Sequence, residues 1–245
     1  MSGQPTACVL IIGNEILSGK TQDTNLQFLG FELAKLGIRL AEGRVVRDEP
    51  AAIIRHLDET RRAFTYVFTT GGIGPTHDDI TAECVAQAFG VPLELNGEAV
   101  ERLKRSGRPL NEARLKMARI PRGAALVDNP VSNAPGFRIE NVFVLAGIPS
   151  IARAMFASAI PLLARGAPIL SSSVDAYLRE GDFAAALTQI QQQYPTVEIG
   201  SYPFNRDGRL GATLVARGTD RALLAKVAAE IAAAITALGG ETSVP

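Results

Sequence analysis

Residues 6–12 form an unbroken apolar run closed by Gly13, and no other segment restricts the fold as strongly. A run without alternating polar positions marks a strand buried on both faces, and such strands belong to parallel sheets covered by helices. The segments that follow have the matching period. Leu26, Leu29, Leu33 and Leu36 recur at helical spacing and Gly37 closes that helix. Residues 38–46 read as a second strand. Pro50 stands in the first turn of a second helix that carries Ile53, Ile54 and Leu57. Tyr66-Val67-Phe68-Thr69 is a third strand, followed by a glycine-rich loop and a helix over 79–89 that Gly90 stops. A fourth strand, 142–145, leads through Gly147-Ile148-Pro149 into a helix over 151–163. Strand and helix alternating with short connections imply parallel strands and right-handed crossovers. The expectation is an α/β fold, a three-layer Rossmann-like parallel sheet domain over residues 1–166.

Composition shifts at Arg165-Gly166-Ala167-Pro168. Strands over 169–172, 197–201 and 210–216, with helices over 183–191 and from 220, predict a second, smaller α+β domain over 167–245. Asn205-Arg206-Asp207-Gly208 reads as its hairpin turn. With 25 basic and 25 acidic residues the net charge is zero, so the basic excess of a nucleic-acid or polybasic membrane binder is missing. Any bound anion must then be held by local geometry. Residues 222–238 are broken by Lys226 and Glu230 and read as an amphipathic helix, not a membrane span. Cys8 and Cys84 lie in apolar runs and read as buried thiols of a cytoplasmic protein.

Two motifs invite a phosphate-loop reading and fail it. Gly13 to Thr21 ends in Gly-Lys-Thr, but five residues separate its glycines where a P-loop needs four, and the helical period begins only near 23–26. Gly72-Ile73-Gly74-Pro75-Thr76-His77 places His77 where a dinucleotide fingerprint needs a third small residue.

Ligands of an open parallel sheet bind beyond the carboxyl ends of its strands. Four loops occupy that edge: 13–25, 47–49, 71–81 and 146–149. They hold glycines, carboxylates, hydroxyls and amides, with Lys20 and Arg47 as their permanent cations. In the 69–81 loop, glycines let the backbone approach a ligand and expose successive amides, a nest suited to phosphate beside a helix N-terminus. One of Asp78 and Asp79 should cap that helix, and the other could hold Mg²⁺, which takes one or two carboxylates plus substrate phosphates. Asn14, Glu15, Asp23 and Asn25 form a second cluster. Asp23 or Thr24 could cap the first helix, whereas Glu15 has no cap to serve and suits a polar ligand or metal. Asp48 reads as a cap of the Pro50 helix that also lies on the ligand edge. His77 reads as a solvated loop residue and His56 as a surface one. No Ser-His-Asp or Cys-His arrangement can be assembled, which disfavours covalent catalysis.

Gly13-Asn14-Glu15-Ile16-Leu17-Ser18-Gly19 with Asp23-Thr24-Asn25, and then Thr70-Gly71-Gly72-Ile73-Gly74-Pro75-Thr76-His77-Asp78-Asp79-Ile80-Thr81, resemble the MoaB/Mog molybdopterin-binding domain family. The likeness is greatest to the CinA branch, through Met117-Ala118, Pro121, Asn129, Ala134-Pro135-Gly136-Phe137 and the Gly147 turn. The resemblance implies a phosphate-bearing pterin or nucleotide bound by Asn14, Glu15, Ser18, Asp23, Asn25, Gly71, Gly72, Gly74, Pro75, Thr76, Thr81, Pro135, Gly136 and Gly147. It implies catalytic roles for Asp48 and Asp79, and a divalent cation (Mg²⁺ or similar) on Asp78, Asp79 and Glu15. The activity implied is metal-dependent pyrophosphate hydrolysis of ADP-ribose or FAD type. Non-catalytic binding and Mg-ATP-dependent adenylylation of molybdopterin are its alternatives. Homo-oligomers are expected, and nucleic-acid and membrane partners are not. The sequence departs from the family at Ala146, at Ser150-Ile151 and at Ser132-Asn133, all on one wall of the expected site.

Overall fold

The computed structural model describes residues 4–206 and 208–243. The chain divides into two compact units, Met1–Gly166 and Ala167–Pro245.

The first unit opens with β1 (Thr6–Ile12), a short α1 (Asn14–Leu17), α2 (Asn25–Lys35), β2 (Arg39–Val46), α3 (Pro50–Ala63), β3 (Tyr66–Thr70) and α4 (Thr81–Phe89). An excursion follows: β4 (Leu93–Leu95), α5 (Gly97–Lys104), α6 (Glu112–Lys116), β5 (Arg119–Pro121) and β6 (Ala125–Val127). The chain then returns through β7 (Gly136–Ile139) and β8 (Val142–Leu145) to α7 (Pro149–Ala159). The main sheet has six strands in the order β2-β1-β3-β8-β7-β6. β2, β1, β3 and β8 pair in parallel, as the buried apolar runs predict. β7 and β6 pair antiparallel and extend one edge, which the expectation of a purely parallel sheet did not contain. A two-residue turn from β7 into β8 permits only an antiparallel pairing, because a parallel one needs a crossover.

Successive residues of β1 feed opposite layers. Cys8, Leu10 and Ile12 pack with Ile53, Leu57 and Val85 on one side. Ala7, Val9 and Ile11 pack with Leu29, Leu33 and Phe156 on the other. Every residue of β1 after Thr6 is buried, whereas β2 alternates because it is the sheet's edge. Both cysteines are buried free thiols; burial pushes Cys8 up to about 12 and Cys84 up to about 11.

The second unit contains β9 (Leu170–Tyr177), α8 (Glu180–Gln193), β10 (Glu198–Arg206), β11 (Arg209–Gly218), α9 (Arg221–Ala237) and β12 (Glu241–Ser243). Its antiparallel sheet runs β10-β11-β9-β12 and has its own core, including Val174, Leu214, Val227 and Ile231. Asp207 of the expected hairpin turn lies outside the described residues; β10 and β11 pair in register on either side of it. Among the described residues no helix is long and apolar enough to cross a membrane.

Candidate functional site

The carboxyl ends of β1, β3 and β8 open onto a cleft of about 870 Å³. The segment leaving β3 forms its floor. Gly71 has φ +103, and a Cβ there would sit 2.1 Å from the Ile12 carbonyl oxygen. Gly72 has φ +68, and its Cβ would meet Thr81 Oγ1 at 2.1 Å. Only glycine fits both positions. The chain is strapped down behind this turn. Thr81, fully buried, donates its hydroxyl to Gly71 O at 3.0 Å and its amide to Gly72 O at 2.9 Å. Among the described residues the amides of Gly72, Ile73 and Gly74 find no acceptor, so three consecutive donors stand at the cleft.

Asp48, Asp78 and Asp79 do not cap the helices that follow them, although the sequence suggests it. The residue before α4 is Ile80, with no side-chain cap. Asp79 instead closes its own loop: its Oδ2 accepts the Thr76 amide at 2.8 Å and the Thr76 hydroxyl. Gly74 makes room for it, since a Cβ there would lie 2.6 Å from Asp79 Oδ2. Asp78 is exposed and held below the ordinary aspartate range, by the Thr76 hydroxyl first and its own backbone second. Asp48 does not cap the Pro50 helix, whose N-cap is Glu49. It reaches across to α1, accepting the Asn14 amide on Oδ2 at 2.7 Å. The reason is the parallel pairing of β1 with β2, which brings both strand ends to one place.

Of the residues singled out from sequence, Glu15, Asp48, Gly71, Gly72, Gly74, Pro75, Thr76, Asp78, Asp79 and Gly147 line the cleft. The others support it from outside. Asn14 supplies the amide just described, and Ser18 donates to Glu15 O at 3.2 Å. Asp23 Oδ1 accepts the Leu26 amide at 2.8 Å, the cap-like role open to it from sequence. Asn25 is buried and donates from Nδ2 to Gly147 O at 2.8 Å, tying α2 to the turn after β8. Thr81 lies beneath the floor. Gly136 is a strand residue whose Cβ would fall 2.4 Å from Val144 O, so its glycine serves β7–β8 contact. Pro135 lines a separate small hollow behind Gly72 and Asp79. His77 is almost fully exposed.

The cations of the cleft are not Lys20 or Arg47, neither of which lines it. Arg108 and Arg114 do, delivered by the segment between α5 and β5. No local motif marks them, because they arrive by tertiary folding of the excursion. Lys116 fastens the same segment to the floor, donating from Nζ to Thr76 O at 2.7 Å. Apolar side chains line the cleft as well: Val131, Ile148, Ile151 and Met155, with Val131 and Ile148 more than half exposed. Among the described residues no three His, Cys, Asp or Glu side chains gather as a ready cation site.

Comparison with known proteins agrees with this architecture. Residues 8–165 match the model of the probable molybdopterin binding domain, and residues 168–239 that of the FAD synthase middle domain. A CinA-like protein of Gloeobacter violaceus is 39% identical over 169 residues, covering 65% of this chain and 40% of its own length. A probable FAD synthase of Caenorhabditis elegans is 34% identical over 232 residues, covering 83% of this chain and 44% of its own. The chain thus spans less than half the length of either relative. The crystal structure of the protein CinA from Thermoplasma acidophilum superposes with a TM-score of 0.61 at 34% identity, covering 65% of this chain and 98% of that one. The family model spans all but the first two residues of the main sheet and every loop of the cleft, and the chain belongs to the probable molybdopterin binding domain family, the MoaB/Mog type, in its CinA-like branch.

Proposed function

We propose that the chain hydrolyses the diphosphate bridge of a nucleotide pyrophosphate of ADP-ribose or FAD type, with Mg²⁺ or a similar divalent cation. The observation that carries this reading is the meeting, in one cleft, of three unpartnered amides with the carboxylates of Asp48 and Asp79. The amides suit one phosphate, whereas the first amide of α4 is spent on Gly72 O and the start of that helix does not line the cleft. Repulsion between that phosphate and the carboxylates is relieved if a cation lies between them. The donor set fits such an ion. The hydrogen bonds of Asp48 and Asp79 occupy Oδ2 of each, leaving Oδ1 for a metal, and Glu15 or Asp78 can complete a shell that water and phosphate oxygens share. When bound, the cation supplies Lewis acidity at phosphorus and a more acidic water. The chain's own part is positional. Thr76 and the Asn14 amide fix the two carboxylates, and the Gly72–Gly74 amides meet the charge that grows on the phosphoryl oxygens. Water adds to one phosphorus, the bridging P–O bond breaks, and two phosphomonoesters leave. The names of the nematode relative and of the middle-domain model support a flavin or adenine dinucleotide as substrate. We also propose that the chain acts as a homo-oligomer, which light scattering reads directly.

The test is release of AMP from ADP-ribose or FAD with Mg²⁺, Mn²⁺ or Co²⁺. Chelation abolishes it, and Asp79→Asn or Asp48→Asn lowers kcat about 100-fold or more. Undiminished turnover in Asp79→Asn defeats the metal assignment, and no AMP from either substrate with any of these ions defeats the hydrolase.

A second reading is a module that binds pterin or nucleotide without turnover. The observation favouring it is the absence, among the described residues, of a preassembled three-ligand site. Tight binding by calorimetry with no product decides for it.

A further inference from the structure

Arg114 and Arg108 line the same cleft but are used differently. The Arg114 guanidinium is consumed by its own loop: Nη1 donates to Arg108 O at 2.6 Å and Pro109 O at 3.1 Å. Nη2 donates to Ser106 Oγ at 2.7 Å and Leu103 O at 3.2 Å. Gly107, at φ +70, turns the chain inside this clamp. The Arg108 backbone is therefore pinned, while its exposed side chain makes no hydrogen bond or ion pair among the described residues. That is unusual company for an arginine, since Glu15, Asp48, Asp78 and Asp79 line the same cleft.

α6 couples this loop to the glycine floor. Arg114 grips the 103–109 segment from it, and Lys116 grips Thr76. Asn111 Oδ1 caps the helix by accepting the Arg114 amide at 2.9 Å. One short piece thus holds the Arg108 backbone in a fixed place relative to the glycine loop. A pinned backbone leaves only the rotamers of the Arg108 side chain to be ordered on binding.

We infer that Arg108 is the second anion-binding group of the cleft. It takes the phosphate of a diphosphate ligand that the glycine-loop amides do not hold, and Arg114 positions it. The inference rests on the hydrolase reading, which places one phosphate at the glycine loop. It deepens that reading by giving the second of the two linked phosphates its own partner in the cleft. A planar guanidinium fork suits a phosphate better than a point charge does.

The experiment is calorimetry on the full chain with Mg²⁺, using α,β-methylene-ADP, whose bridge cannot be hydrolysed, beside AMP. Arg108→Gln weakens the methylene analogue about tenfold or more and AMP less than twofold, with an unchanged unfolding midpoint. Arg108→Lys falls between, keeping charge without the fork. Arg114→Lys also narrows the preference for the analogue over AMP, which simple destabilisation would not do. Equal loss on both ligands, or none on the analogue, overturns the inference alone. Wild-type chain that binds neither ligand overturns the nucleotide reading and the inference together.

Discussion

Gly71 and Gly19 both belong to glycine-containing loops of the ligand edge, yet their backbones make opposite predictions. Gly71 combines φ +103 with a backbone carbonyl 2.1 Å from any added Cβ, so nothing flexible can yield. Gly19 has φ +71 with open space around it. Gly71→Ala should cost more than about 3 kcal/mol in urea unfolding, and Gly19→Ala about 1 kcal/mol, the left-handed penalty alone. Equal costs would mean that the floor relaxes. The thiols make a second prediction. With Cys8 pushed up to about 12 and Cys84 to about 11 by burial, neither is a thiolate at pH 8. Iodoacetamide should label them only on unfolding, at the rate at which the chain opens. These residues were legible because their constraints are local: a glycine turn and an apolar run both show in a few letters. Asp48 was legible as a ligand-edge carboxylate but not in its partner. Asn14 reaches it only through the pairing of β1 with β2. Arg108 was not legible at all, for α4, β4 and α5 intervene between the glycine loop and it, and no period links them.

The same distinction governs the elements. β1, β3 and β8 could be read as buried strands because each is apolar on both faces. β7 and β6 could not: β7 is as long as β8, but Gly136 and Arg138 interrupt its apolar residues, and the three residues of β6 are too few for periodicity to speak, so partners rather than propensity define both. α6 is the extreme case. Five residues cannot hold a helix in water on their own, so tertiary bonds must do it. Arg114→Ala removes the clamp while leaving the core untouched. Amide hydrogen exchange in 103–109 and in α6 should rise together by tenfold or more, while β1 amides keep their protection. If the 103–109 segment alone loosens, α6 is held from elsewhere and does not couple the arginine loop to the floor.

At the scale of the molecule, the balanced charge read from the sequence conceals an uneven arrangement, with carboxylates and an available arginine gathered in one cleft of the first unit. The second unit keeps its own buried charge. Asp175 is 1% exposed on β9 and accepts from the Thr213 hydroxyl and the Arg206 guanidinium, each at 2.5 Å. Burial alone would raise its carboxyl, but those two donors outweigh burial and hold it below the ordinary aspartate value. A depressed folded value stabilises the fold above the unfolded value, near 3.8, and that contribution is lost as pH falls through the folded one. Arg206 is half exposed, so water screens part of the pairing and the cost of Asp175→Asn at pH 7 is about 1 kcal/mol. Because each unit has its own core, that cost should fall on one of them. Peptide-resolved hydrogen exchange in urea should show 167–243 opening earlier in Asp175→Asn at pH 7 while 4–166 is unmoved. The gap from wild type should shrink as pH drops below about 4. Gly71→Ala should do the reverse, loosening 4–166 and sparing 167–243. A single transition that both substitutions shift equally would show that the two cores unfold as one, and the division of the chain into independent units would then be geometric only.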